Sequence, residues 1–248
     1  MRDFKEFVQF VQEVKRGVAQ AMPECEIVVP CIYLEDFFDR KMTIEETIKK
    51  IIDIFINKKT IKKNSFLEVI NTSRNKEYLE EIPHRDFLDL SIVCRLKVST
   101  GKDGMSSTVL TKGLIKHLGM TEEEVFSYAY ENTKKIMPCL ICDMAEILGF
   151  AIPMGIPIVT NKVKIFGAAS VVFEDVLETI SQRVDGNYYL LPSSRHEMIV
   201  VPDPEGTSKP SELRQMVYEV NREEVAEEDF LSDNIYYYDK EKGKLAIA

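Results

Sequence analysis

Hydrophobic positions recur at three- and four-residue steps in several stretches of the chain, which predicts amphipathic helices. The first such helix spans roughly residues 2–20. Thr43 with Glu46, and Thr121 with Glu124, have the spacing of a capping box, so each pair is expected to open a helix. The other predicted helices are a short one around Ser65–Asn71 and a late one around Leu213–Val220 with Pro210 in its first turn.

Other apolar runs are bounded by turn residues, which is typical of β-strands. Glu26–Leu34 is rich in β-forming residues, but Pro30 confines it to a sheet edge or a bulge. Asp86–Val98 is predicted to be a strand that turns through residues 100–104 into a second strand, Ser107–Thr111. Phe166–Pro202 is predicted to form, in order, a strand, a helix, a strand, a polar turn and a strand. The last predicted element is a hairpin of Ile235–Tyr238 with Leu245–Ile247.

Helices and hairpin-connected strands are intermixed without the strict alternation of a doubly wound sheet. The predicted fold class is therefore α+β, a mostly antiparallel sheet with hairpins packed against several amphipathic helices. The stretch Arg74–Lys76, ahead of Pro83, marks the expected seam between a helical N-terminal part, residues 1–75, and an α+β domain, residues 76–248. Independent folding of the first part is not assumed.

The chain has 248 residues, 45% of them hydrophobic, which is enough to form a stable core without disulfides. Its five cysteines are odd in number and lie mostly in apolar runs, which favours reduced, metal-free thiols and hence the cytoplasm. The charged, amphipathic start is not typical of a secretory signal. No apolar run approaches the ~20 residues that cross a bilayer. These observations predict a soluble protein without membrane association.

Motifs for cofactors and metals are absent from the sequence. There is no dinucleotide-binding GxGxxG, no phosphate-binding loop and no pair of histidines at helical spacing. Cys139 and Cys142 have the spacing of a zinc or redox motif, but no second cysteine or histidine pair supplies the four ligands of a structural zinc. We therefore expect no cofactor and no metal.

The net charge of -9 argues against general affinity for nucleic acids, which depends on many lysine and arginine contacts. Residues 203–248 carry most of the excess, with twelve acidic and six basic side chains. The one short basic cluster consists of Lys58, Lys59, Lys62 and Lys63. Weak nucleic-acid binding through this cluster is the third-ranked function.

Two polar clusters are the candidate sites. Ser193, Ser194, Arg195, His196 and Glu197 are sequence neighbours at the predicted turn between two strands. A hydrolase could use Ser193 or Ser194 as nucleophile, His196 as base and Glu197 as the acid that orients the base. Ser194 is preferred because strand alternation places it on the same face as His196. Strand alternation places Glu197 on the opposite face from both, so the acid would have to come from elsewhere.

The second cluster lies where a loop enters a strand and contains His84, Arg85, Asp86 and Asp89. Asp86 or Asp89 could complete the hydrolase centre if the two clusters meet in space. We expect the side chains of the two clusters to approach within hydrogen-bonding or water-bridged range. No nucleophile-elbow motif accompanies Ser194. For a binding function, the candidate residues are His84, Arg85, Ser193, Arg195 and Glu197.

Several motifs in order along the chain resemble an uncharacterised clostridial family, domain of unknown function 5688. The likeness covers nearly the whole chain, although Pro23–Pro30 is shorter than the strand-rich segment of other members. It implies a cytoplasmic bacterial protein and brings no known activity. The motifs are Pro83–Leu90, Thr160–Lys162, Phe166–Ala169, Leu191–Glu197, Leu231–Asn234 and Tyr236–Asp239.

The leading interpretation is a cytosolic, non-enzymatic protein that binds a protein or a small ligand. Its expected contact surfaces are the acidic region Glu223–Asp233 and the two polar clusters. The hydrolase centred on Ser194 and His196 is the alternative.

Overall fold

The computed structural model describes residues 4–21, 31–101, 104–145 and 156–248. The chain forms two compact units, one of Met1–Ser65 with Arg95–Ala129 and the other of Phe66–Cys94 with Tyr130–Ala248. The units are thus interleaved along the sequence, whereas the predicted seam at residues 74–76 separates contiguous parts. The division into a part of residues 1–75 and a domain of residues 76–248 stays a prediction.

The helices follow the predicted periodicity over most of their length. The described α-helices are α1 (Phe4–Ala21), α2 (Cys31–Asp39), α3 (Ile44–Phe55), α4 (Lys58–Asn64), α5 (Lys76–Glu81), α6 (Lys112–His117), α7 (Glu122–Ile136), α8 (Glu174–Val184) and α9 (Pro210–Glu223). Short 3₁₀ helices cover Ser73–Asn75, Gly167–Val172 and Glu227–Asp229. Within the described ranges, no helix is both long and apolar enough to span a bilayer.

Both predicted capping boxes are confirmed. The Thr43 side chain accepts the Glu46 backbone N–H at 3.2 Å, and the Glu46 carboxylate accepts the Thr43 backbone N–H at 2.9 Å. The same reciprocal pair joins Thr121 and Glu124, at 3.2 and 2.8 Å. These bonds satisfy backbone donors that the first helical turn leaves without partners.

The first unit has a helical core of its own. Large apolar side chains of α1 pack against α2 and α3. The ring of Phe38 on α2 meets the rings of Phe7 and Phe10 edge-on, with 5.3 Å between the ring centroids in each pair. The buried members of this cluster are Phe10, Val14, Val18, Leu34, Phe37 and Ile51.

The strands form two sheets, and the described strand pairs are antiparallel. One sheet has the order β1-β3-β2 with β4 paired to β3, and the other has the order β10-β9-β7-β8-β6-β5. The α+β class is confirmed. The strands are β1 (Ser65–Asn71), β2 (His84–Phe87), β3 (Leu90–Gly101), β4 (Gly104–Val109), β5 (Cys139–Asp143), β6 (Pro157–Asn161), β7 (Tyr188–Ser194), β8 (Glu197–Pro202), β9 (Tyr236–Asp239) and β10 (Lys244–Ile247).

The predicted hairpins are confirmed at β3–β4, β7–β8 and β9–β10. In the second unit, α9 packs on β7, and its Val217 joins Tyr189, Leu191 and Ile235 in a buried cluster. The final hairpin therefore continues the six-stranded sheet through β9.

Two local assignments are wrong. Ser65–Asn71 is strand β1 and not a helix. The prediction failed because the strand is buried along nearly its whole length, so its sequence lacks the polar alternation of a half-exposed strand. Cys31–Leu34 belongs to helix α2 and not to an edge strand. Leu34 and Phe37 are buried at helical spacing, so tertiary packing overrides the β-propensity of this run. The rest of the predicted strand, Glu26–Pro30, lies outside the described residues.

Two further assignments are wrong, and in each case the chain changes course at a residue with a left-handed backbone conformation. The predicted strand Asp86–Val98 is two strands, since Leu88 adopts φ +60° and the chain reverses between β2 and β3. The first strand predicted within Phe166–Pro202 is instead the 3₁₀ helix Gly167–Val172, which follows Phe166 at φ +55°. A positive φ in a large residue is uncommon and has no sequence signature, so neither break could be read from the pattern.

Candidate functional site

The polar turn between β7 and β8 carries the first predicted site. β7 ends at Ser194, β8 begins at Glu197, and these two residues are cross-strand partners. The register shifts between Pro192 and Ser194, and Arg195 and His196 fill the turn. Because His196 lies in the turn, the strand alternation that separated it from Glu197 does not govern its orientation.

Both ring nitrogens of His196 have partners. Nδ1 accepts the backbone N–H of Phe166 at 3.0 Å, and Nε2 lies 3.0 Å from Asp229 Oδ1. Nδ1 can accept the Phe166 N–H only if it has a lone pair, so the neutral ring carries its proton on Nε2. The Nε2–H group then donates a hydrogen bond to the Asp229 carboxylate. Ser194 Oγ accepts the His196 backbone N–H at 3.1 Å, which caps the turn.

The backbone behind this histidine is held by a close approach. The left-handed conformation of Phe166 precedes Gly167, and Thr160 Oγ1 donates to the His196 carbonyl at 2.8 Å. A Cβ on Gly167 would lie 2.3 Å from both the His196 carbonyl oxygen and Thr160 Oγ1. Only glycine fits at that position, which gives a physical reason for the glycine of the Phe166–Ala169 motif.

Arg195 joins two carboxylates. Its Nε donates to Asp229 Oδ1 at 2.9 Å, and Nη1 lies 3.4 Å from Glu68 Oε1 on β1. Its backbone N–H also donates to the Asp229 carbonyl at 2.9 Å. The guanidinium carbon is 5.1 Å from the centre of the Phe166 ring. We call Glu68, Arg195, His196 and Asp229 the Arg195 cluster.

The Arg195 cluster combines one buried side chain with three that are partly exposed. The Glu68 side chain is 2% exposed, whereas those of Arg195, His196 and Asp229 are 28 to 30% exposed. A carboxylate as buried as Glu68 is tolerated only with a paired charge or hydrogen-bond donors. The cluster therefore holds a buried acid in place and presents a partly exposed charged surface.

Asp89 is the acceptor for a second set of bonds. It follows the left-handed Leu88 in the turn between β2 and β3. Its carboxylate accepts from Ser232 Oγ at 2.5 Å, Asn234 Nδ2 at 3.0 Å and the Tyr236 hydroxyl at 2.8 Å. Burial, and then the Asp89 carboxylate, raise the pKa of Tyr236 well above its usual range. Tyr236 thus stays protonated as a donor.

The other residues of the second predicted site have separate surroundings. His84 Nδ1 lies 3.1 Å from the Ile82 carbonyl oxygen, to which it donates. The Arg85 guanidinium is 6.0 Å from the Tyr130 ring. Burial raises the pKa of Tyr130, and Arg85 opposes that rise. Asp86 is exposed on β2.

The bonds of the two predicted sites converge on one segment, residues 229–236. The Asp229 carboxylate accepts hydrogen bonds from Arg195 and His196 of the first site. Ser232, Asn234 and Tyr236 donate hydrogen bonds to Asp89 of the second site. The carboxylate that is hydrogen-bonded to His196 therefore belongs to Asp229. The sequence had suggested Asp86 or Asp89 for this position. Ser193 and Glu197 lie half-buried on β7 and β8.

Sequence reasoning included Asp229 only within the acidic region Glu223–Asp233, without linking it to His196, and it did not select Glu68. They lie 34 and 127 residues from Arg195, and no local pattern links them. Glu68 had a detectable signal, because it is the only charge in the apolar run Ser65–Asn71. Asp229 lies two residues before the Leu231–Asn234 motif, which the resemblance had marked without assigning a role.

Opposite tautomers are expected for two histidines. His196 should carry its proton on Nε2, because Nδ1 accepts the Phe166 N–H, whereas His84 should carry one on Nδ1, because it donates to a carbonyl. Long-range ¹H–¹⁵N spectra of the rings, assigned with His84→Gln and His196→Gln, check this. A proton on Nδ1 of His196 at neutral pH would contradict the geometry.

The cysteine pair lies on a strand. Cys139 and Cys142 are three residues apart on β5, so their side chains point to opposite faces of the sheet. Cys142 is buried and Cys139 is half-buried, and burial raises the pKa of the Cys139 thiol. No three potential ligands are arranged to hold a metal ion among the residues that the structure describes. Reduced thiols throughout the chain stay a prediction, and Cys25 lies outside the described residues.

Part of the basic cluster is engaged within the first unit. Lys58 Nζ donates to the Gly119 carbonyl at 2.8 Å, and Lys62 Nζ lies 5.4 Å from the centre of the Tyr128 ring. Both lysines also lie near Glu124, whose pKa is lowered chiefly by its bond to Thr121 and further by these two charges. Weak binding of nucleic acid stays a prediction.

Comparison with known proteins identifies a family and no function. No curated protein and no solved structure is significantly similar to this chain. The clostridial origin implied by the resemblance stays a prediction. Residues 11–240 match the model of a family of unknown function, DUF5688, and the chain belongs to that family.

Proposed function

We propose that this protein is a non-enzymatic binding protein that acts through contact with a partner. The occupation of both ring nitrogens of His196 carries this proposal. A general base needs a free lone pair facing the hydroxyl that it activates, and the only lone pair of neutral His196 accepts the Phe166 N–H. Ser194 Oγ is likewise engaged in the turn.

The surface that best suits a partner is an acidic one with an apolar centre, formed by α9 and the residues after it. Met216 and Val220 lie one turn apart on the same side of α9 and are exposed by 55 and 42%. Large apolar side chains grouped on a surface and rimmed by charge are typical of interaction sites. We call this the α9 surface; its exposed glutamates are Glu212, Glu219, Glu223, Glu224, Glu227 and Glu228.

The charge of this surface indicates the chemistry of the partner. Only a few of its charges have short ion pairs, such as Glu212 with Lys209 at 2.7 Å. The Arg222 guanidinium is taken by both Asp233 oxygens, at 2.8 Å each. Electrostatic complementarity therefore favours a protein that presents basic side chains.

A photo-crosslinking residue in place of Met216 tests the surface. In the native host it should give a discrete protein adduct, because position 216 lies beside the exposed, apolar Val220. The adduct should weaken in Glu219→Gln/Glu223→Gln and at high salt, since screening removes attraction between exposed charges. The same crosslinker in place of Tyr78, which is 40% exposed, is the matched control. Equal adducts at both positions would contradict the proposal.

The enzymatic alternative is tested on the same protein. Hydrolysis of short-chain aryl esters and labelling by a fluorophosphonate should be no greater for the parent than for Ser194→Ala. Ser193→Ala is the control for general effects on the turn. Turnover that requires both Ser194 and His196 would overturn the non-enzymatic assignment.

A further inference from the structure

The bond between the Phe166 N–H and His196 Nδ1 depends on the protonation state of the ring. Nδ1 accepts this N–H at 3.0 Å, so it must keep its lone pair. Histidine is the side chain that ordinarily gains a second proton between about pH 5 and 8. On His196 that proton would go to Nδ1 and turn the acceptor into a donor that faces another donor. The bond therefore exists only while the ring is neutral.

The surroundings of the ring leave few ways to absorb this change. Rotating the ring in place restores no acceptor, since both nitrogens of a charged imidazole are donors. The His196 backbone is held, because its carbonyl accepts from Thr160 Oγ1 at 2.8 Å and its N–H donates to Ser194 Oγ at 3.1 Å. A Cβ on Gly167 would lie 2.3 Å from the same carbonyl oxygen. The change therefore falls on the His196 side chain or on the Phe166 peptide.

The Phe166 backbone is the strained element of this contact. Its φ of +55° is uncommon for a large residue and persists only where the surroundings hold it. The bond to Nδ1 is one such restraint. The Phe166 ring packs on Phe66, with centroids 6.0 Å apart, and lies 5.1 Å from the Arg195 guanidinium carbon. Loss of the bond therefore releases the backbone of a residue whose ring is still held.

Neighbouring bonds confine the change to Phe166. The Ala168 N–H donates to the Arg195 carbonyl at 3.3 Å, and Ser170 Oγ donates to the Thr160 carbonyl at 3.1 Å. Neither bond involves a group that gains a proton in this pH range, so both should survive. The 3₁₀ helix Gly167–Val172 should stay attached to β6 and to the β7–β8 turn.

The charges that face His196 act on its added proton in both directions. Asp229 Oδ1, 3.0 Å from Nε2, attracts it and can retain the charged ring. The Arg195 guanidinium binds the same oxygen at 2.9 Å and repels it, and that guanidinium is itself 3.4 Å from Glu68. The 3₁₀ helix Gly167–Val172 has no titratable side chain. The other charged residues on the adjoining segments are Lys162, Lys164, Glu197, Glu227 and Glu228.

We infer that the contact between His196 and Phe166 is a pH-sensitive switch. At higher pH the ring is neutral and holds the Phe166 N–H. As the pH falls and the ring takes up its second proton, this bond is lost and the Phe166 backbone is released, while Asp229 retains the ring. The bond is the one that argues against catalysis, but the test needs no partner. Failure of the α9 surface would therefore leave the switch standing.

A pH titration of the full-length, ¹⁵N-labelled protein from about pH 8 to about pH 5 tests the switch. The His196 ring nitrogens report protonation, and the Phe166 amide, assigned with Phe166→Leu, reports the bond. The Phe166 amide proton should shift upfield along the same curve as ring protonation. Its protection from hydrogen exchange, corrected for the intrinsic rate at each pH, should fall about ten-fold or more. The amides of Leu190 and Val200, which are paired between β7 and β8, should keep their protection.

His196→Asn is the variant that fixes the switch in its closed state. Its amide oxygen can lie near the position of Nδ1 and takes up no proton in this range, so the Phe166 amide should stay bound at every pH. The matched control is His84→Gln, which removes another half-buried histidine and should leave the Phe166 transition unchanged. His84 Nδ1 already donates to the Ile82 carbonyl, so protonation does not break that bond.

Protonation of the His196 ring without a change at the Phe166 amide would overturn the switch, and the parent protein alone decides this. A Phe166 transition that persists in His196→Asn would also overturn it. Loss of protection at Leu190 and Val200 at the same pH would show general unfolding instead. In Asp229→Asn the Phe166 transition should still coincide with the titration of the ring. Its disappearance while the ring still titrates would assign the effect to the carboxylate and contradict the inference.

Discussion

Replacing Asp89 with alanine should lower the free energy of unfolding by roughly 3 to 5 kcal/mol. The carboxylate accepts hydrogen bonds from Ser232, Asn234 and Tyr236. Ser232 and Tyr236 are at most 1% exposed, so their hydroxyls would lose their acceptor without gaining water. A buried donor left without a partner costs about 1 to 3 kcal/mol.

The control for this variant is on the neighbouring strand. Asp86→Ala removes an exposed carboxylate from β2 and should change stability by no more than about 0.5 kcal/mol. Urea unfolding followed by circular dichroism measures both. Tyr236→Phe, which removes one donor and keeps the ring, should fall between them. If Asp89→Ala unfolds at the same urea concentration as Asp86→Ala, the bonds to residues 232–236 contribute little.

Gly167→Ala should cost about 3 kcal/mol or more, at the upper end of the range for overpacking. The new methyl group would meet the His196 carbonyl and Thr160 Oγ1 at 2.3 Å and the Asn161 backbone nitrogen at 2.8 Å. Two of these three atoms belong to the backbone, so relief requires a shift of the β7–β8 turn or of β6. The bond between the Phe166 N–H and His196 Nδ1 should be lost with that shift.

Gly113→Ala provides the comparison. Its nearest neighbour would be Thr111 Oγ1 at 3.9 Å, an ordinary contact, and it lies within helix α6. Alanine is favoured over glycine in a helix by up to about 1 kcal/mol, so this variant should be neutral or more stable. Thermal unfolding of both variants separates the effect of the close approach from that of losing a glycine. Similar melting temperatures would show that the turn accommodates the methyl group.

The parts of the fold that could be predicted are those encoded by neighbouring residues. The Thr43 and Thr121 capping boxes and the final hairpin each need only a few adjacent side chains, and all are present. β1 could not be distinguished from a helix, because burial along its length removes alternation and leaves only an apolar run. The left-handed conformations of Leu88 and Phe166 come from tertiary constraints that no residue type announces.

In the candidate site, too, only the features encoded by neighbouring residues could be predicted from the sequence. Arg195 and His196 were selected because unlike polar groups stood together in the sequence. Their partners Asp229 and Glu68 come from distant elements, and only the three-dimensional arrangement identifies them. The strand argument about Glu197 assumed regular pairing up to the turn, and the register shift beside Ser194 removes that assumption.

The central position of residues 229–236 also has a consequence for synthesis on the ribosome. Asp89 emerges 143 residues before Ser232 and 147 before Tyr236, and Asn71 emerges 160 before its acceptor, Leu231. At translation rates of about 5 to 20 residues per second, the Asp89 carboxylate waits roughly 7 to 30 s for these partners. During that interval β1 and the turn between β2 and β3 lack their hydrogen-bond partners in residues 229–236, so the second unit is completed only after that segment has emerged.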